Sequence, residues 1–382
     1  MIKGNKRLLA FALACSMLMT GCRSDGKNDG LKPVRQNKTD GKLQVVTTIF
    51  PYYDFARQVA GEYADVTMIV PAGMDTHSFE PTAEDMVTIG QADILIYNGG
   101  ELEGWVPQVI EAAGNEKLFV DAMIDYVDID GEVDVEDLHL DKNHDADDDS
   151  LAEEIEEELV EGQEEHREDE LEAARKVDRD IDGDDDLTRD GHLQEEHVED
   201  GHSHDNGDEH IWTSPDNAKE IVKQIAKDFG KADEKHKEEY LKNAEKYIAE
   251  IERVDQELEA VVDRASSHYL VFADRFPLRH FVEEYDLDYI AAFAGCGSET
   301  EPSAETIAHL TDIVKERQIP VILKIELTSS KVADSIAEAS GAKVRTFSTC
   351  HNVTKDEMAD GVTYVSLMEQ NVGVLQEALG VK

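Results

Sequence analysis

The sequence predicts an α/β protein of two domains with parallel sheets. Two observations predict it. Short apolar strands alternate with helical stretches along the chain, and 382 residues is roughly the length of two domains. The formal net charge of −49 is extreme, but it is concentrated in one region. Between Asp134 and Glu209 stand 34 acidic residues and only 6 Lys or Arg. Outside that stretch the chain is mildly acidic, and a basic face for nucleic acid is absent.

The N-terminus reads as a targeting segment. Lys3, Lys6 and Arg7 precede the apolar run Leu8 to Met19, which is too short to span a bilayer. Leu18-Met19-Thr20-Gly21-Cys22 then resembles a bacterial lipoprotein signal, with Cys22 as the lipidated first residue of the mature chain. Residues 1–22 are assigned to the signal, and the polar stretch 23–41 to a flexible tether.

The folded part opens with a buried strand over Leu43 to Ile49, and Phe50-Pro51 starts a helix that runs to about Ala60. Tyr63 to Val70 alternates as a strand does. Pro71 to Thr82 is a loop by its Gly and Pro content, with Thr82 capping a helix from Ala83 to Gln91. Ile94 to Asn98 and Leu118 to Val120 are further strands. Parallel sheets bind ligands beyond the carboxyl ends of their strands, and His77 lies in such a loop.

From about Asp125 to Glu209 runs the acidic insert, with few aromatics and dense Glu and Asp. Like charges at neighbouring turns oppose a helix, so disorder is expected without metal. Its histidines are densest at His192, His197, His202 and His204. The insert passes directly into His210-Ile211-Trp212, an apolar anchor before a helix start. Imidazole and carboxylate together can collect a borderline cation such as zinc and pass it to a fixed ligand, His210.

Asp216 to Phe229 is an amphipathic helix, and Glu234 to Ala265 a longer one with apolar residues at helical spacing. Tyr269 begins a second strand–helix series. A helix spans Leu278 to Tyr285 and a strand Tyr289 to Phe293. Ser303 caps a helix from Ala304 to Arg317. Pro320 to Ile325 is a strand, Val332 to Ala339 a helix and Lys343 to Phe347 a strand. The final helix is expected over about Gly361 to Ala378.

The runs Ile-Phe-Pro-Tyr-Tyr-Asp, Gly-Met-Asp-Thr-His-Ser-Phe-Glu-Pro-Thr and His-Ile-Trp after a His-rich loop resemble one family. It is the zinc and manganese solute-binding lipoproteins of bacterial ABC importers. The resemblance covers about Leu43 to Leu379, apart from the insert. It implies two doubly wound lobes of similar topology, one long rigid linking helix, and one metal in the cleft. The lobes are then residues 42–232, interrupted by 125–209, and 267–382, with the linking helix at 233–266. It also implies an ABC permease as partner, a membrane anchor and a monomer.

Residue by residue, the resemblance supplies His77 and His210. The second lobe departs from the family pattern. Where the family has His-Asp-x-Phe, this chain has Ala273-Asp274-Arg275-Phe276, and the usual last carboxylate falls at about Thr349. A metal between lobes needs a second-lobe ligand from a loop beyond a strand end. His351 is the one imidazole so placed, and Glu299 is the expected oxygen ligand, with Asp274 as another choice. Cys296 and Cys350 follow strands at the same sheet edge. A disulfide is favoured there over thiolate ligation, since the compartment is oxidising. Two or three imidazoles favour zinc over manganese.

The expected function is a lipid-anchored receptor that delivers zinc to an ABC importer. The alternative is a surface zinc buffer or adhesin in which the insert does most of the binding. An enzyme is not expected, because no His-Glu-x-x-His and no nucleophile elbow is present.

Overall fold

In the computed structural model, which describes residues 41–127, 208–293 and 302–382, the strands pair into two four-stranded parallel sheets. The first contains β1 (Leu43–Thr47), β2 (Ala64–Met68), β3 (Ile94–Tyr97) and β4 (Phe119–Ala122), in the order β2-β1-β3-β4. The second contains β5 (Tyr269–Phe272), β6 (Asp288–Ala291), β7 (Val321–Lys324) and β8 (Lys343–Thr346), in the order β6-β5-β7-β8. The two orders are the same winding repeated. Central strands of such sheets are covered on both faces, so they read as continuous apolar runs. All four residues of β5 are buried, and Val45 of β1 is flanked by Val66 and Ile94.

The first lobe carries α1 (Phe50–Ala60), α2 (Ala83–Gln91), α3 (Val106–Ala113) and α4 (Pro215–Ala232). The second carries α6 (Arg279–Glu284), α7 (Ala304–Glu316), α8 (Lys331–Ser340), α9 (Lys355–Asp360) and α10 (Tyr364–Ala378). Between the lobes runs α5 (Lys237–Val262), 26 residues or about 39 Å long. The capping signals act as expected. Thr82 Oγ1 accepts the Asp85 amide while Asp85 accepts the Thr82 amide, and Ser303 Oγ accepts the Thr306 amide. The helices α3 and α9 have no counterpart in the sequence reading. At the end of the chain, one helix from Gly361 was expected. Instead Gly361, at φ +76°, ends α9, and Thr363 caps a separate α10.

One set of contacts between lobes gathers on α1. Asp54 is fully buried in that helix. Its Oδ2 accepts the Tyr247 hydroxyl of α5 at 2.5 Å and the Tyr364 amide of α10 at 2.7 Å. Its Oδ1 takes the Arg57 guanidinium at 2.8 Å, and Arg57 also donates to the Val362 carbonyl. A buried carboxylate is stable only when its oxygens are satisfied in this way. Trp212, also fully buried, donates from Nε1 to the Thr349 carbonyl at 2.9 Å, and the Tyr364 hydroxyl donates to the Trp212 carbonyl at 3.0 Å. Thus first lobe, linking helix and second lobe share one core, and the loops beyond the strand ends are held face to face.

Candidate metal centre

Three histidines from three loops meet where the lobes face each other. His77 sits in a short 3-10 turn, Thr76–Ser78, that follows β2. His210 precedes a similar turn, Ile211–Thr213, at the start of α4. His351 follows β8. Their ligand nitrogens lie within 4.8 Å of one another. The donors of a tetrahedral zinc site with arms of 2.0–2.1 Å stand about 3.3 Å apart, so the imidazoles draw together around an ion. The ring centroids are 5.9 Å apart for His77 and His210, and 5.2 Å from His351 to each of the others. His210 and His351 are buried and His77 is exposed, which gives the site one open side.

Each ligand loop is braced. Asp75 Oδ1 accepts the His77 amide at 3.0 Å and so caps that turn. Gly73, at φ +82°, lets the same loop fold back so that its amide reaches the Val353 carbonyl at 2.7 Å. Asn352, beside His351, donates to the Pro71 and Met74 carbonyls at 3.0 and 2.8 Å. The second lobe therefore holds the first lobe's ligand loop directly. The buried Thr76 hydroxyl lies 2.6 Å from His351 Nε2.

His351 is positioned by Glu326, which follows β7. Glu326 Oε1 accepts the His351 amide at 3.1 Å and the Thr349 hydroxyl at 2.6 Å, and Oε2 accepts the Thr349 amide at 2.8 Å. Burial pushes the Glu326 carboxyl above its ordinary range, while these donors oppose the rise. His210 is oriented by Asp208, whose Oδ1 lies 2.5 Å from His210 Nδ1. Burial alone would raise the Asp208 carboxyl, but the facing imidazole and its hydrogen bonds hold it at about 2. Glu209 pins the same segment to the first lobe. Its carboxylate accepts the Glu101 and Leu102 amides at 2.6 and 2.7 Å. A Cβ on Gly100 would stand 2.3 Å from that carboxylate, which explains a glycine there. Trp212 closes the apolar side, 5.3 Å from the His210 ring and 5.0 Å from His351.

The structure thus brings together His77, His210 and His351 of the expected ligands. Glu299 lies outside the described residues, as do His192, His197, His202, His204, Cys22 and Cys296. Asp274 has a different task. It is buried, and accepts the Arg275 amide at 2.9 Å, the Ile325 amide at 3.2 Å and the Thr328 hydroxyl at 2.5 Å. It ties β5 to the β7 loop. The expected Cys296–Cys350 disulfide rests on Cys296, outside the described residues; Cys350 itself is buried. Its backbone is left-handed, at φ +58°, and its side chain packs in the core with Sγ 3.9 Å from Ser348 Oγ. Burial also pushes the thiol up, which disfavours a thiolate ligand. His280, on α6, places Nε2 2.6 Å from the Asp208 carbonyl.

Sequence reasoning missed Asp208, Glu326 and Thr76. Asp208 carried a signal in standing two residues before His210, whereas Glu326 is near His351 only in space. Among the described residues a second group, Asp216, Asp255 and Glu284, also gathers closely. Lys219 Nζ already pairs with two of its carboxylates, at 2.7 Å from Asp216 and 2.9 Å from Asp255, and lies 2.7 Å from Glu252.

Comparison with known proteins agrees with this geometry. Residues 45–378 match the family model described as zinc-uptake complex component A, periplasmic. The chain is 30% identical over 370 residues to the high-affinity zinc uptake system protein ZnuA of Bacillus subtilis, covering 97% of this chain and 96% of that one. It is 27% identical to the zinc-binding lipoprotein AdcA of Streptococcus pneumoniae, of which it spans only 60%. Among solved structures, the metal-dependent lipoprotein YcdH of Bacillus subtilis superposes with a TM-score of 0.62 at 26% identity, over 89% of this chain and 100% of that one.

The site predicts a pH dependence of stability in the metal-free protein. Burial first, then His210, His77 and Arg275, pulls His351 well below the ordinary imidazole range, so it stays neutral in the fold. In the unfolded chain it gains a proton below about pH 6.5. The unfolded state then binds more protons, and stability falls as pH drops through that value. Urea denaturation in steps from pH 7.5 to 5 should show this, and His351→Gln should flatten the slope by up to about 1.4 kcal/mol per pH unit. An unchanged slope in the variant would contradict the assignment.

Proposed function

The chain belongs to the family of periplasmic zinc-uptake complex A components, and from that membership we propose that it is a lipid-anchored receptor that captures zinc and delivers it to an ABC importer. The observation that carries the reading is the convergence of three imidazoles from both lobes on one point. Three nitrogen donors suit zinc and are a poor match to manganese, which prefers oxygen. His77, His210 and His351 are the ligands, and Glu299 supplies the fourth, an oxygen. Zinc binds between loops that are already braced, so little ordering opposes capture. Because His351 comes from the second lobe, release is coupled to a shift between the lobes.

In this reading Cys22 carries the lipid that holds the exported chain at the outer face of the cell membrane. Among the described residues no helix is long and apolar enough to cross a membrane. His192, His197, His202 and His204 form an accessory capture loop. It raises the local zinc concentration, while the tight site remains the three-histidine centre. The chain works as a monomer with the importer's permease.

Two experiments test this. Zinc affinity is measured by competition with a chromophoric chelator. His77→Ala, His210→Ala and His351→Ala should each weaken binding by more than the roughly 10–100-fold seen when only a ligand's hydrogen-bond partner is lost. Deleting residues 128–207 should leave the tight affinity nearly unchanged. If the deletion costs more than any single histidine, the protein is a buffer built on its insert. Separately, Cys22→Ala should move the protein out of the membrane fraction or leave it unprocessed, and unchanged membrane partition would exclude the anchor.

A further inference from the structure

Resting on the reading that zinc sits among the three imidazoles, we propose that Asp208 is the positioning residue that selects which nitrogen of His210 meets the metal, and that the second lobe holds it in place. Asp208 Oδ1 lies 2.5 Å from His210 Nδ1 and also accepts the His210 amide at 3.1 Å. A carboxylate can only accept here, so Nδ1 carries the proton and the ring's lone pair resides on Nε2. That is the arrangement a metal-binding histidine needs, with one nitrogen held by an acceptor and the other left basic.

The remaining polar atoms of Asp208 face the other lobe. Its Oδ2 accepts the Arg279 amide at 3.3 Å, at the first residue of α6. Its carbonyl takes His280 Nε2 at 2.6 Å, also on α6. The side chain is only 14% exposed. One residue therefore touches the first lobe's ligand and two successive residues of a second-lobe helix. A tether that served only to hold the chain would have no need to present its carboxylate to the ligand ring. His280 contributes at one remove, by holding the backbone from which that carboxylate extends. The first lobe's ligand His210 is thus set from the second lobe, independently of His351.

The test pairs zinc affinity with the His210 tautomer, read in the metal-free protein by long-range proton–nitrogen NMR and assigned by comparison with His210→Gln. The wild type should carry its proton on Nδ1. Asp208→Asn keeps an acceptor oxygen, so it should keep that tautomer and most of the affinity. Asp208→Ala should shift the proton towards Nε2 and weaken zinc binding about 10–100-fold. His280→Ala should weaken it less than Asp208→Ala does. Should the alanine variant at 208 fail to fold, the asparagine and His280 variants decide. An unchanged tautomer and affinity in Asp208→Ala would overturn the proposal, as would loss of the Nδ1 proton in Asp208→Asn. Full zinc affinity in His210→Ala would instead count against the metal site itself, and the tautomer measurement would still decide the role of Asp208.

Discussion

The site depends on the buried carboxylate of Asp54. Three ligand loops distributed over two lobes define a metal site only if the lobes are held in register, and Asp54 is where α1, α5 and α10 are joined. Its carboxyl group is enclosed, so the Tyr247 hydroxyl, the Tyr364 amide and Arg57 must all stay in place. Beside it Trp212 carries the same constraint to the clustered histidines. Its indole N–H fixes Thr349, two residues from His351, and its ring lies against both His210 and His351. Core packing and ligand placement are therefore one structure, and a shift of the lobes changes both.

The chemistry follows from that enclosure. His210 and His351 are removed from water, which keeps His351 neutral and ready to bind a cation without first losing a proton. His77 remains exposed, so the ion has a way in. Each histidine loop is fixed by an acceptor: Asp75 for His77 and Asp208 for His210, each two residues before its histidine, and Glu326 for His351 from the neighbouring strand end. Preorganisation of this kind is what separates a tight site from a loose collection of histidines.

Much of this was legible in the sequence. The apolar runs of β1, β3, β5 and β7 announced parallel sheets, and Thr82 and Ser303 announced their helices. His77 and His210 stood in motifs, and His351 followed from the absence of a histidine at Ala273. Other features were not legible. The eight residues of α3 and six of α9 are too short for a periodic signal to rise above their surroundings. Sequence gives no sign that Cys350 takes a left-handed backbone that packs its thiol into the core. Nor does it reveal Glu326, which reaches the His351 amide only because β7 and β8 are neighbours in the sheet.

The most direct test of the central claim is X-ray absorption at the zinc edge of the loaded protein. Scattering from three imidazoles with nitrogen at about 2.0–2.1 Å and one further oxygen at a similar distance is expected. A sulfur shell near 2.3 Å, or fewer than three imidazoles, would contradict it.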